Sequence, residues 1–148
     1  ITRSFSKAFG LAGVRLGYII SDSDIINSIG KVYNNKSVNR IAQILGIEVL
    51  KNKDIMKSYV NEVTVNKKYF VNKINSLGIK SFCGEGNYVL FKLLNHNDFL
   101  KLAESNKIYL RDRSLLFGLE GFIRVTIGNK EQLEKVIKLI KIHINDKI

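Results

Sequence analysis

Proline is absent from this sequence and cysteine occurs once, at Cys83, so turns must be read from clusters of Gly, Asn, Asp and Ser. One thiol cannot close an internal disulfide, nor build a metal site alone, which fits a reducing compartment and predicts Cys83 as a small buried filler. No apolar run approaches the roughly 18 to 20 residues that span a bilayer. The start lacks the charged, apolar and small-residue regions of a signal peptide, so a cytoplasmic location is expected. Acidic residues are scarce, 13 against 24 lysines and arginines, and the net charge of +11 raises nucleic acid as a partner. The lysines are spread among Asn and Ile, with no basic cluster, zinc motif or aromatic RNA-binding strand, so neither a nucleic-acid nor a membrane partner is expected. His96 and His143 have no metal-ligand spacing, and no metal is expected. With 45% hydrophobic residues, 148 residues are enough for a folded domain with a sizeable core.

What the sequence does contain is concentrated at residues 2–18, TRSFSKAFGLAGVRLGY. Hydroxyls recur at Thr2, Ser4 and Ser6, which an extended strand or tight loop sets on one side, where they can hold phosphate oxygens. Lys7 follows. Gly10, Ala12 and Gly13 then thin the side chains so that the backbone can turn and approach a ligand before Arg15 adds a fixed positive charge. An amine beside an anion pocket points to a Schiff base, which needs a partly deprotonated lysine; neighbouring cations and desolvation lower a lysine pKa. Ser4-Phe5-Ser6-Lys7 also fits S-x-x-K of penicillin-recognising enzymes, but the S-D-N and K-T-G elements of that chemistry are missing.

The pattern S-x-S-K-A-x-G-L-A-G-x-R-x-G-Y resembles the lysine segment of pyridoxal-phosphate aminotransferases of the aspartate aminotransferase fold (fold type I, class I/II), with histidinol-phosphate aminotransferases the most similar group. The resemblance implies pyridoxal 5'-phosphate as cofactor, Lys7 as its covalent and proton-transferring residue, and Ser4, Ser6 and Arg15 as its phosphate ligands. It also implies that the chain, which begins with Ile, is a carboxyl-terminal fragment. The ring-stacking residue and the aspartate for the pyridine nitrogen would then lie upstream, and this chain alone would turn over nothing.

Further along, residues 14–21 alternate as a strand ending at Ser21-Asp22-Ser23-Asp24, and Asp22 or Ser23 is expected to cap a short helix with Ile25, Ile26, Ile29 and Val32 inward. Residues 34–39 break it, where family members often carry a proline-containing loop. Helical spacing follows over 40–50 (Ile41, Ile44, Leu45, Val49) and 54–77 (Ile55, Tyr59, Val63, Phe70, Ile74), with Asn52-Lys53 between them, Asp54 as cap and Gly78 as stop. The remainder reads as strands at 80–83, 87–94, 108–110 and 122–127, with helices at 98–105 (Phe99, Leu102, Ala103 inward) and 130–144 (Leu133, Val136, Ile137, Ile140 and Ile144 inward). The expected fold class is α/β and α+β: residues 1–53 from a large cofactor-binding domain, 54–77 a linking helix, and 78–148 a small α+β domain with helices on one sheet face.

Arg124 interrupts the apolar run FIRVTI, so it must find an anion or hydrogen-bond partner, or form a salt bridge from an exposed strand face. GFIRVTIGNKEQ resembles the family's carboxyl-terminal arginine motif, which makes Arg124 a substrate ligand. Arg111, in IYLRDRS, matches a second arginine that histidinol-phosphate aminotransferases direct at the substrate phosphate. Two guanidinium groups on one dianion make chemical sense, since each offers a forked donor pair. Asn87 matches a position beside the active-site arginine, although an Asn after a Gly-rich turn also serves as a turn residue; Arg113 is assigned to the surface or to a bridge with Asp112. His96 is expected inert in an Asn-flanked turn, and His143 near a helix end where positive charge suits the dipole. The implied reaction is transamination between histidinol phosphate and 2-oxoglutarate, giving imidazole acetol phosphate and glutamate in histidine biosynthesis, by a homodimer when intact. The alternatives are a threonine-phosphate-type decarboxylase of the same fold and a basic binding module without catalysis.

Overall fold

The computed structural model describes residues 1–33 and 38–145, and its chain divides into two compact units, Ile1–Val60 and Asn61–Ile148. The boundary falls inside a helix that the sequence reading sets apart as a link at 54–77. Part of the expected break at 34–39 lies outside the described residues.

The first unit opens with a two-stranded antiparallel ribbon, β1 (Thr2–Ser4) and β2 (Gly17–Ile19), in register Thr2 to Ile19 and Ser4 to Gly17. Gly17 is required there, because a Cβ would stand 2.8 Å from the carbonyl oxygen of Arg3. The strand expected over 14–21 is therefore shorter: Ala12–Val14 form a 3-10 turn and only Gly17–Ile19 pair. Helix α1 (Ser23–Gly30) starts after Asp22, whose carbonyl accepts from Ile26 N–H at 3.0 Å while its side chain makes no cap bond. Helix α2 (Arg40–Lys51) is capped by Asn39, whose side-chain oxygen accepts from the Ala42 N–H at 2.9 Å. Asn52 alone separates α2 from α3 (Lys53–Asn75), and Asp54 is not a cap: it sits in the first turn, paired with Lys57 at 3.0 Å.

Burial in this unit departs from the periodicity. Helix α2 buries Ala42 and Gly46, while Ile41 and Ile44, expected inward, are 68% and 52% exposed. Among the described residues nothing buries Ile41 or Ile44, so the apolar face marked by the spacing is left open. Gly46 is occupied from outside by Leu16, whose Cδ2 lies 2.6 Å from where a Cβ would be.

The second unit has a four-stranded antiparallel sheet in the order β3 (Ser81–Phe82), β4 (Tyr88–Lys92), β6 (Phe122–Thr126), β5 (Arg111–Asp112). Alternation sends Val89, Phe91, Ile123 and Val125 into a core completed by Phe70 and Ile74 of α3, Phe99 and Ala103 of α4 (His96–Ser105), and Leu133, Ile137 and Ile140 of α5 (Lys130–Asn145). Phe91 is fully buried between edge-on Phe70 and Phe99, with centroids 6.0 and 6.1 Å away. The helices thus cover one sheet face, as the periodicity implies. Gly78, at φ +75°, ends α3, with Gly78 N–H on Asn75 O at 2.9 Å and Ile79 N–H on Ile74 O at 3.2 Å.

Three expectations are corrected in this unit. Residues 108–110 form no strand; pairing begins at Arg111, one residue beyond the end of the apolar run. Cys83 is exposed rather than a buried filler, because it falls just past β3, before the Gly84–Gly86 turn. His96 is the first residue of α4 rather than a turn residue, with Nε2 4.0 Å from Asp112 Oδ1. His143 does lie in the last turn of α5, but its ring is buried on Phe99, with Nε2 3.0 Å from the Leu94 carbonyl oxygen.

Candidate active site

The ribbon makes Lys7 the tip of a closed loop. Beyond the last strand pair, Phe5 N–H donates to Leu16 O at 3.0 Å, and inside that neck Leu11 N–H donates to Phe5 O and Gly10 N–H to Lys7 O, both at 3.0 Å. Gly10 has φ +68°, a conformation that glycine adopts without penalty. Phe5 is buried against Phe9 and Tyr18, with centroids 4.8 and 5.9 Å away, while Ser4 is exposed and Ser6 half-buried. Ser4 Oγ accepts from Ser6 N–H at 3.0 Å, which leaves the Ser4 hydroxyl proton free to be donated outward. Thr2 lies on β1, two residues before Ser4.

Arg15 follows the 3-10 turn in the left-handed region, φ 54°, ψ 44°, which costs a residue other than glycine about 1–2 kcal/mol. One Nη donates to Ala12 O at 3.1 Å, which folds the side chain back over its own loop and leaves the other donors of the guanidinium exposed. Leu16 on Gly46 holds the residue next to it. Ser4, Ser6, Lys7 and Arg15 thus share one hydrogen-bonded loop: two hydroxyls, an exposed amine and a guanidinium. This donor set suits a molecule that carries both a carbonyl and a phosphate.

The arginines of the second unit are brought together by sheet register. Arg111 of β5 and Arg124 of β6 are direct cross-strand partners, so both side chains leave the sheet on the face opposite the helices. Like charges so placed repel, and a dianion between them offsets that repulsion. Arg124 is half-buried, its guanidinium carbon lies 5.3 Å from the centre of the Tyr88 ring, and its Nε is buried without a hydrogen-bond partner. Among the described residues no carboxylate pairs with it, so the salt-bridge alternative is not what the fold builds. Both arginines line an open groove of about 800 Å³ with Lys107, Tyr109, Gln132 and Lys135. Small-molecule sites span roughly 300–1,000 Å³. Asn87, partly buried, precedes β4, and its carbonyl accepts from Ile127 N–H at 2.9 Å.

Asp112, next along from Arg111, does not bridge to the Arg113 guanidinium. Its Oδ1 accepts from Ser114 N–H at 2.8 Å and lies near His96, and bonds from Ser114 hold its pKa below the ordinary 3.8. Arg113 N–H donates to Phe122 O at 2.9 Å. Sequence reasoning missed Tyr88 beneath Arg124; the signal was alternation in both strands, which becomes informative only once their register is known. Among the described residues no group of three or more His, Cys, Asp and Glu is placed to hold a metal ion, and no helix is long and apolar enough to cross a membrane.

Residues 1–140 match the family model described as aminotransferase class I and II. The chain belongs to that family. A histidinol-phosphate aminotransferase of Caldanaerobacter subterraneus subsp. tengcongensis is 32% identical over 142 residues, covering 95% of this chain and 40% of the relative. A dihydroxyacetone phosphate transaminase of Campylobacter jejuni is 37% identical over 146 residues, covering 95% of this chain and 39% of the relative. Among solved structures, the histidinol-phosphate aminotransferase of Clostridium acetobutylicum superposes with a TM-score of 0.87 at 25% identity, covering 99% of this chain and 46% of that one. This aminotransferase chain therefore spans about 40% of the length of the relatives it matches. The mixed helix-and-sheet architecture is that of the aminotransferase fold.

Proposed function

We propose that this chain supplies the cofactor-anchoring lysine and the substrate-phosphate arginines of a pyridoxal-phosphate aminotransferase that acts on histidinol phosphate with 2-oxoglutarate. The observation that carries it is the direct pairing of Arg111 with Arg124 on adjacent strands, one of them with a buried, unpartnered Nε. Two forked donors on one face match the two faces of a phosphate monoester dianion better than a single carboxylate. The relatives' names agree on that group: histidinol phosphate in one, dihydroxyacetone phosphate in another.

When bound, pyridoxal phosphate supplies an electron sink beside the carbon that bears the substrate amine. The chain's own residues do the rest. Lys7 offers its amine as the attachment point and moves the proton at that carbon. Ser4, Ser6 and Arg15 donate hydrogen bonds to the cofactor phosphate, and the closed neck of the loop fixes their spacing to Lys7. Arg111 and Arg124 bind and orient the substrate phosphate, and Asn87, just before β4, is the third substrate ligand of this reading. In this reading the intact protein is a cytoplasmic homodimer.

Steady-state assays on the full-length protein test it. Glutamate should form from 2-oxoglutarate and histidinol phosphate, with histidinol a far poorer donor. Equal rates with and without the phosphate, or release of carbon dioxide from threonine O-phosphate in place of glutamate formation, would sink this assignment.

A further inference from the structure

Arg124 is held by something other than a hydrogen bond. Its guanidinium faces the Tyr88 ring at 5.3 Å, and its Nε is buried and unpartnered. The two residues are diagonal neighbours on one sheet face, since Tyr88 pairs with Thr126 and Leu90 with Arg124. The ring itself has little freedom. Gly86 packs under it so closely that a Cβ would stand 2.9 Å from Tyr88 Cε1 and 3.2 Å from Cδ1. The turn that carries Gly86 is clamped by Lys67 of α3, whose ammonium donates to Gly84 O at 2.6 Å and to Gly86 O at 3.1 Å. On the other side, Asn87 O accepts from Ile127 N–H at 2.9 Å, so the segment is tied at both ends.

We propose that Tyr88 is a positioning residue for Arg124, holding the guanidinium plane so that its Nη edge meets a phosphate, and that Lys67 sets Tyr88 by locking the turn beneath it. This rests on Arg124 being the phosphate ligand assigned above. A ring face attracts a guanidinium without consuming its N–H donors, so the Nη donors stay available to the anion. A carboxylate in the same place would compete with the substrate.

The test uses the full-length protein, with inorganic phosphate binding followed by 31P line broadening and with steady-state kinetics on histidinol phosphate. Tyr88→Leu should weaken phosphate binding and raise KM by roughly tenfold with kcat within about twofold, the size of a partly desolvated cation–π contact. Tyr88→Phe keeps the ring and should stay near wild type. Lys67→Met should give a smaller loss, about threefold, equal to one charge-assisted bond partly replaced by water. The ring current should also shift the Arg124 Nε–H resonance, a signature lost in Tyr88→Leu and moved in Lys67→Met. If Arg124→Ala leaves phosphate binding unchanged, the ligand assignment is the part that fails. If Arg124→Ala weakens binding but Tyr88→Leu behaves as wild type, the positioning role is overturned. If Tyr88→Leu does not fold, the Lys67→Met resonance decides: an unmoved signal overturns the proposal.

Discussion

Replacing Arg111 by glutamine should strengthen the fold and weaken the enzyme together. In β5 the residue stands directly across from Arg124, and two like charges at that spacing oppose each other. Such pairs destabilise a sheet by roughly 0.2–1 kcal/mol, and because Arg111 is exposed the lower part of that range applies. Without phosphate, Arg111→Gln should therefore raise the unfolding free energy by a few tenths of a kcal/mol, more at low salt than at high. With phosphate the sign reverses. A hydrogen-bonded charge contact is worth about 1.5–3 kcal/mol when shielded, and an exposed one nearer 1, so binding should fall by about fivefold. Arg124→Lys should cost more, about 2 kcal/mol or 30-fold, because it removes the fork and the buried Nε from a half-buried site. Denaturant melts of the full-length protein with and without inorganic phosphate, run at two salt concentrations, measure both terms. A phosphate-free stability that drops in Arg111→Gln, or equal losses of phosphate binding in the two variants, would refute the idea that the pair is a charge clamp.

Three further outcomes follow from the geometry. Gly17→Ala places a methyl against the Arg3 carbonyl, so the ribbon neck must open, with a loss of about 1–3 kcal/mol and weaker cofactor retention, read by the absorbance of dialysed protein. Phe91→Ala empties the centre of the second unit's core and should lower stability by about 3–5 kcal/mol in chemical denaturation, leaving the Lys7 loop chemistry untouched. Asp112 has a folded pKa below its ordinary 3.8, so its bonds to Ser114 stabilise the turn fully above that value and are lost as pH falls through the depressed one. Protection of the Ser114 amide, taken relative to its intrinsic exchange rate, should fall as the pH drops below 3.8, and Asp112→Asn should remove that pH dependence.

How much of this was legible in the sequence depends on how local the cause is. The Lys7 loop was readable because its geometry is made by neighbours: glycines where the chain turns, hydroxyls alternating with Phe5. Helices α4 and α5 were readable because their apolar residues meet a core supplied by the same unit. Helix α2 has equally regular spacing, yet Ile41 and Ile44 are exposed, since periodicity records which face is apolar and not whether anything covers it. The strand at 108–110 failed for a related reason. Its residues have strand propensity, but pairing is decided by β6, whose register begins at Arg111. Cys83 and Tyr88 were misread or missed because exposure and cross-strand neighbours are properties of the register.

The central claim is that Lys7, and no other lysine, holds the cofactor aldehyde. Borohydride reduction of the full-length protein with pyridoxal phosphate, followed by peptide mapping, tests it most directly. A single stable adduct on Lys7 is the predicted result; label scattered over the many other lysines, with Lys7 unmodified, would contradict it.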